Sequence, residues 1–254
     1  MSTKKFAGSE NSFGVEDFPD RVTHHPLVSA HMNSRGSETG PPSVRRRDWQ
    51  SVSDVDYRRI RSIWEEAFPP GERSEQDTVS RRDSTWLWTA HSAGGDLTGF
   101  ATALLLPSSE AAYLEYLAVL PSTRGTGTGA AVLSTIAADL QAEGSVSGVV
   151  LEVEDPVRTP GRDPLLVRRL AFYERWGALP VASLNDYFMP DLANPGGLVP
   201  MTLLWRGLRD NATLAPAGVV RVLTDLYHGY YAHAASEGHL EKMLGRITPD
   251  APAS

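Results

Sequence analysis

The sequence predicts a mixed α/β fold, with a single layer of mostly antiparallel sheet flanked by helices. Three observations lead there. Three apolar strand runs follow one another between residues 85 and 120, separated by turn residues. The grammar then changes to glycine turn, helix, buried strand and helix. Hydrophobic residues make up 41% of the 254, enough for a substantial core.

The elements follow in chain order. Residues 1–42 are rich in Ser, Gly, Asn and Pro and hold no apolar period, so they predict a disordered tail. Its His24, His25 and His31 lack the i,i+4 spacing of a helical metal pair, and no metal is expected. Ser43 to Trp49 predicts a first strand. Ser53 caps a helix on which Ile60, Ile63, Trp64, Ala67 and Phe68 share a face, and Pro69-Pro70-Gly71 stops it. Glu72 to Ser84 reads as a short helix or a mobile loop. Strands follow over Thr85 to His91, Leu97 to Leu106 and Ala112 to Leu120. A helix face through Val132, Leu133, Ile136 and Leu140 comes next, then a strand from Gly148 to Val153 that is apolar on both faces. Leu165 to Trp176 predicts a helix with Val167, Leu170, Ala171 and Tyr173 or Glu174 inward. A late strand covers Met201 to Trp205, and Val219 to Tyr231 forms an aromatic helix face.

Charge and cysteine content narrow the function. Asp and Glu total 31 against 24 Lys and Arg, a net charge of -7, which argues against nucleic-acid binding by bulk charge. The absence of Cys removes disulfides, thiolate metal sites and a cysteinyl acyl-enzyme. No apolar run approaches the ~18 residues of a membrane span. No apolar stretch follows Lys4 and Lys5 to make a leader. The expectation is a soluble cytoplasmic protein with no membrane partner.

The chemistry concentrates after the third predicted strand. Arg124-Gly125-Thr126-Gly127-Thr128-Gly129 turns from that strand into a helix. Such a turn presents unpaired N–H groups at the positive end of a helix dipole, an anion site. A Walker loop would need Lys then Ser or Thr, and Gly129-Ala130-Ala131 has neither. A dinucleotide fingerprint needs G-x-G-x-x-G, and the spacing here is G-x-G-x-G. The remaining pattern, R-x-x-G-x-G through Arg124, Gly127 and Gly129, resembles the acetyl-CoA motif of the GNAT acetyltransferases. Leu117-Ala118-Val119 and Pro121 before it, Phe172-Tyr173 to Gly177-Ala178 after it, and Phe68-Pro69-Pro70-Gly71-Glu72-Arg73 are similar to other segments of that family. The resemblance spans residues 43–206, and residues 207–254 remain as a helical extension packed on that domain.

The resemblance implies a sheet split near its fourth and fifth strands and acetyl-CoA, or another acyl-CoA, as cosubstrate. It implies that the N–H groups of Arg124, Gly125, Thr126, Gly127, Thr128, Gly129 and Ala130 hold the pyrophosphate. Leu117, Ala118 and Val119 would then run beside the pantetheine, and Arg169 and Phe172 would contact the cofactor. Arg158, Arg162, Arg168, Arg169 and Arg175 would form a basic wall for the polyanion. Tyr173 is implied as the general acid for the departing thiolate, since a phenol can donate that proton. Glu115 is the first candidate base; alternation places it on the same face as Tyr113 and Leu117. Glu152 and Glu154 are the next candidates. Asp155 stands where many members carry Asn, and that contact is not assigned.

Three functions stay open. The first is acetyl transfer to a primary amine of a small molecule or peptide, for which the acidic residues favour a cation. The second is a non-catalytic CoA-binding module. The third is an acyltransferase acting on a protein docked by the tail or the C-terminal helix, whose aromatic stripe Leu226, Tyr227, Tyr230 and Tyr231 offers such a surface unless it packs on the sheet, which is the favoured expectation. Residue types alone leave room for a homodimer.

Overall fold

Strand pairing organises the chain in the computed structural model, which describes residues 40–82, 85–161, 163–209 and 213–248. Most of the expected tail, with its three histidines, lies outside the described residues, as does Arg162.

Eight strands form the sheet: β1 (Ser43–Arg47), β2 (Trp86–His91), β3 (Leu97–Leu106), β4 (Ala111–Val119), β5 (Gly148–Glu154), β6 (Leu179–Pro180), β7 (Phe188–Pro190) and β8 (Leu198–Gly207). Their order is β1-β2-β3-β4-β5-β8-β6, with β7 also pairing β8. Neighbours are antiparallel except β4 and β5, which run parallel and pair only from Ala111↔Gly148 to Tyr113↔Val150. Beyond Tyr113 the two strands part. The expected mixed sheet with its split is present.

Helices cover both faces. α1 (Asp54–Ala67) begins at Ser53, whose Oγ accepts the Asp56 N–H at 3.1 Å. Its Ile60, Ile63 and Trp64 pack with Leu87, Phe100, Tyr116 and Ala118. On the opposite face α3 (Thr128–Glu143) lays Val132, Leu133, Ile136 and Leu140 on Trp88, Ala101, Leu114 and Leu151. The span expected to be a second helix or a mobile loop contains α2 (Thr78–Arg81), with Asp77, Thr78 and Val79 buried.

α4 (Pro164–Arg175) starts one residue earlier than expected, after its cap at Asp163. Leu166 and Tyr173 are buried and Leu170 packs beside them, at i, i+7 and i+4. Val167, expected inward, falls one step round the helix and is exposed. Glu174 is exposed and Tyr173 is the buried one of that pair.

The C-terminal segment packs on the face that α1 also uses. α5 (Pro216–Asp225) passes into a π turn over Leu226–Tyr230, where the Tyr231 N–H donates to the Leu226 carbonyl at 2.6 Å. α6 (His239–Leu244) follows. Leu226, Tyr227 and Tyr231 are buried against Tyr113, Val150 and Trp205. The aromatic stripe thus packs against the sheet rather than standing exposed as a docking face.

Candidate active site

The split between β4 and β5 opens a cleft of about 910 Å³, bounded by the start of α3, by α4 and by the π turn. That size suits a small-molecule site. Its walls are built in two different ways.

One wall is backbone. The strand β4 ends in a tight turn over Pro121–Thr123, and α3 begins after Gly127. Gly125 and Gly127 have φ of 79° and 89°, the left-handed region that glycine enters without strain. A Cβ on either would meet no protein atom within 4 Å, so packing does not require glycine there. The chain's conformation does, together with open access from the cleft. Among the described residues, the N–H groups of Gly125, Gly127, Thr128, Gly129 and Ala130 donate to no backbone acceptor, and the ladder starts at Ala131. They lie at or just before the positive end of a 16-residue helix. Gly129 lies under Phe172, which a Cβ there would approach to 3.2 Å. Arg124, Arg168, Arg169 and Arg175 also line the cleft.

Thr126 does not line it. Its hydroxyl donates to the Thr123 carbonyl at 2.7 Å and lies 3.0 Å from the Thr128 hydroxyl, and its N–H turns back to the same carbonyl. It braces the turn. Arg158 is also turned away. It bonds Asp155 at 2.8 Å and the carbonyls of Tyr187 and Met201, so the basic wall loses that member. Asp155 is thereby engaged on the far side of the strand end.

The other wall is side chains. Glu115 is the extra residue of a β-bulge: Thr102 pairs with Tyr116 and Ala103 with Leu114. The bulge breaks the expected alternation. Tyr116 and Ala118 then face α1, while Leu114 and Leu117 face α3, so Leu117 is not on the side of Glu115. Glu115 accepts the Thr78 N–H at 3.2 Å, the Thr102 hydroxyl at 2.8 Å, the Tyr230 hydroxyl at 2.9 Å and the Thr78 hydroxyl. Burial pushes its carboxyl up to about 7 in spite of these bonds.

Glu152 sits among three phenols. Tyr113 donates at 2.7 Å, and Tyr187 and Tyr231 also donate. Burial raises its pKa, and the phenols oppose the rise. Glu154 pairs with Arg169 at 2.9 Å. Tyr173 is buried against Phe172, with ring centroids 5.2 Å apart, and burial lifts its hydroxyl to about 12 against the pull of Arg169.

The structure therefore brings together Tyr173, Glu115, Glu152, Leu117 to Val119, the glycine turn, Arg169 and Phe172 around one space. Sequence reading missed Glu72, Tyr230 and Tyr231, which also line it. The motif Phe68 to Arg73 pointed at the first of these without saying what it did. The aromatic stripe singled out the tyrosines as a packing or docking face, not as residues of the cleft.

Comparison with known proteins bears on the family and the fold. Residues 52–178 match the model of the acetyltransferase (GNAT) family. A GNAT-family protein of known structure from Bacteroides thetaiotaomicron is 24% identical; the match covers 74% of this chain and 98% of that one, with a TM-score of 0.55. The ribosomal-protein-S18-alanine N-acetyltransferase of Escherichia coli is 20% identical over 65% of this chain and 94% of its own, at 0.46. A GNAT-family protein from Desulfovibrio desulfuricans is 19% identical over 66% and 99%, at 0.48. No curated protein sequence matches the chain.

Proposed function

We propose a reaction from one premise: the chain belongs to the GNAT acetyltransferase family, whose model spans residues 52–178. It is an N-acetyltransferase, and acyl-CoA is that family's cosubstrate. Our reading is that it moves acetyl from acetyl-CoA to a primary amine of a small molecule or peptide, by direct attack with both substrates bound. The observation that carries this is the meeting of the unpaired N–H groups of the glycine turn and the Tyr173 hydroxyl in one cleft.

The residues present fit the cosubstrate. A polyanion suits five free N–H donors at a helix start with arginines beside them. The N–H groups from Gly125 to Ala130, with Thr126 bracing the turn, would hold the pyrophosphate. The edge of β4 at Leu117, Ala118 and Val119, freed where β5 departs, would pair with the pantetheine. Arg169 and Phe172 would flank it. The thioester supplies an activated acyl carbon, and the chain supplies the proton traffic. Tyr173, kept neutral by burial, gives its proton to the departing sulfur. Glu115 and Glu152 place buried carboxyls at the acceptor end, a field that suits a cation and repels an anionic acceptor.

A mass-spectrometric screen of several hundred amines and peptides with acetyl-CoA tests the reading. The expected result is at least one amine gaining an acetyl group. CoA binding without any product would favour the non-catalytic module instead.

A further inference from the structure

Four carboxylates line the cleft, and their hydrogen bonding separates them. An ionised carboxylate offers about four lone-pair sites. Glu115 has four donors, Glu152 has three phenols and Glu154 has Arg169. Glu72 accepts no side-chain hydrogen bond from any described residue.

The backbone of Glu72 is held firmly. Its carbonyl accepts the Tyr116 hydroxyl at 2.9 Å, and the Gly71 carbonyl accepts the Leu192 N–H at 3.1 Å. Pro69 and Pro70 fix the entry to this turn, and Asp191 closes over Gly71, where a Cβ would lie 3.3 Å from its Oδ1. A carboxylate on a fixed backbone, lining the cleft with no hydrogen-bond donor to it among the described residues, is placed for a partner that arrives with the substrate.

We infer that Glu72 is the catalytic base, taking a proton from the ammonium of the acceptor. This rests on the acetyl transfer proposed above. The ammonium gives one proton to the Glu72 carboxylate, and the free amine attacks the acyl carbon. The C–N bond forms and the C–S bond breaks. The sulfur takes the Tyr173 proton, the nitrogen returns one to the Tyr173 oxygen, and Glu72 releases its own to solvent. The net products are amide, free thiol and one proton. For Glu115 to play this part, a hydrogen bond from Thr78, Thr102 or Tyr230 would have to break, and Glu152 keeps one open lone-pair site but is enclosed by three phenols. We assign those two carboxylates to positioning the wall.

The surroundings agree. Glu152 and Glu154 from β5, Arg169 from α4, Tyr116 from β4 and Asp191 after β7 surround the turn. Burial, then Glu154 and Glu152, lift Glu72 to about 7, while Arg169 opposes. A base with that value is half charged near neutrality, where proton transfer is efficient. Arg169, which also lines the cleft, acts electrostatically on both Glu72 and Tyr173.

The test uses the full chain, acetyl-CoA and the amine found by the screen. Glu72→Gln should lower kcat/KM by roughly 10²–10⁴-fold. It should also abolish the fall in kcat/KM below about pH 7, with acetyl-CoA affinity and Tm unchanged. Glu72→Asp should recover part of the rate and the acidic limb. A normal rate with the acidic limb intact in Glu72→Gln overturns the inference alone. Equal inactivity of both variants with lowered Tm marks Glu72 as structural and also overturns it. A wild-type protein that binds acetyl-CoA and modifies no amine overturns the functional reading, and this inference with it.

Discussion

The two ends of the cleft are made of different materials. The end at α3 is contiguous backbone: the five free N–H groups, of Gly125 and of Gly127 to Ala130, come from one six-residue stretch and a helix terminus. The opposite end is assembled from side chains of Glu72, Thr78, Glu115, Glu152, Tyr230 and Tyr231, drawn from five parts of the chain. As long as Gly125 and Gly127 keep the turn, the backbone donors keep their direction, and a contiguous cradle of this kind suits a constant ligand. A wall of interlocked carboxyls and hydroxyls changes shape with each substitution, and suits a ligand that differs between relatives. Under the proposed function, CoA would take the first end and the acceptor the second.

The largest expected effect lies between the two ends. Tyr173→Phe keeps the ring against Phe172 and removes the hydroxyl. The kcat should fall by roughly 10²–10⁴-fold with little change in acetyl-CoA affinity. Measuring kcat and Tm on the same variant with saturating acceptor separates the roles. Normal kcat with lower Tm would leave Tyr173 as packing.

Next comes the side-chain end. Glu152→Ala strips the acceptor from Tyr113, Tyr187 and Tyr231. Tyr113 and Tyr231 lie 3.1 Å apart and can still bond each other, so at least one buried hydroxyl is left to lose its partner. We expect a cost of about 3 kcal/mol, read by urea denaturation. Acetyl-CoA affinity should hold, because the backbone end is untouched. A matching loss of CoA affinity would break the division into two ends.

The reciprocal change is Gly127→Val. The residue has φ of 89°, which a β-branched side chain resists, and the added atoms would point into open space used by the anion. Calorimetry should show acetyl-CoA binding weakened by about 2 kcal/mol, some 30-fold, in a folded protein. Unchanged affinity would remove the turn from the site.

The same division explains what could be read from sequence. The glycine turn, the buried strand after it and the Phe172-Tyr173 pair were legible because each is local: spacing, chain direction and helix start are all that the backbone site needs. The split near the fourth and fifth strands came with the resemblance, while the strand order and the parting after Tyr113 came from the structure. Glu115 was found but placed wrongly relative to Leu117, because one bulged residue shifts every later side chain to the other face. Val167 was misplaced because Leu165, Leu166, Val167 and Leu170 are all apolar, and the sequence does not say that the buried stripe runs through Leu166, Leu170 and Tyr173. Tyr230 and Tyr231 were invisible as site residues. Their phenols reach Glu115 and Glu152 through the wider π turn and over 115 and 79 residues of chain. No local pattern encodes either fact.

The smallest effect tests that long-range tie. The folded Glu115 carboxyl, at about 7 against an ordinary 4.5, keeps a proton that the unfolded chain releases in that window. The stability this gives is complete below pH 4.5 and lost as pH rises through about 7. Tyr230→Phe removes a 2.9 Å bond that favours the ionised form, so the carboxyl moves up further. Where the wild-type group is charged, at about pH 8.5, the variant should lose about 1 kcal/mol. At about pH 5.5, where both proteins hold the proton, the loss should be smaller. The ring itself contacts Tyr113 and Tyr231 at centroid distances of 4.9 and 4.8 Å, and phenylalanine keeps those contacts. Thermal melts of both proteins at the two pH values give the answer. A Tm gap that widens at the higher pH ties the C-terminal segment to Glu115 through the hydroxyl. An equal gap at both would reduce Tyr230 to a packing ring and leave Glu115 governed by Thr78 and Thr102.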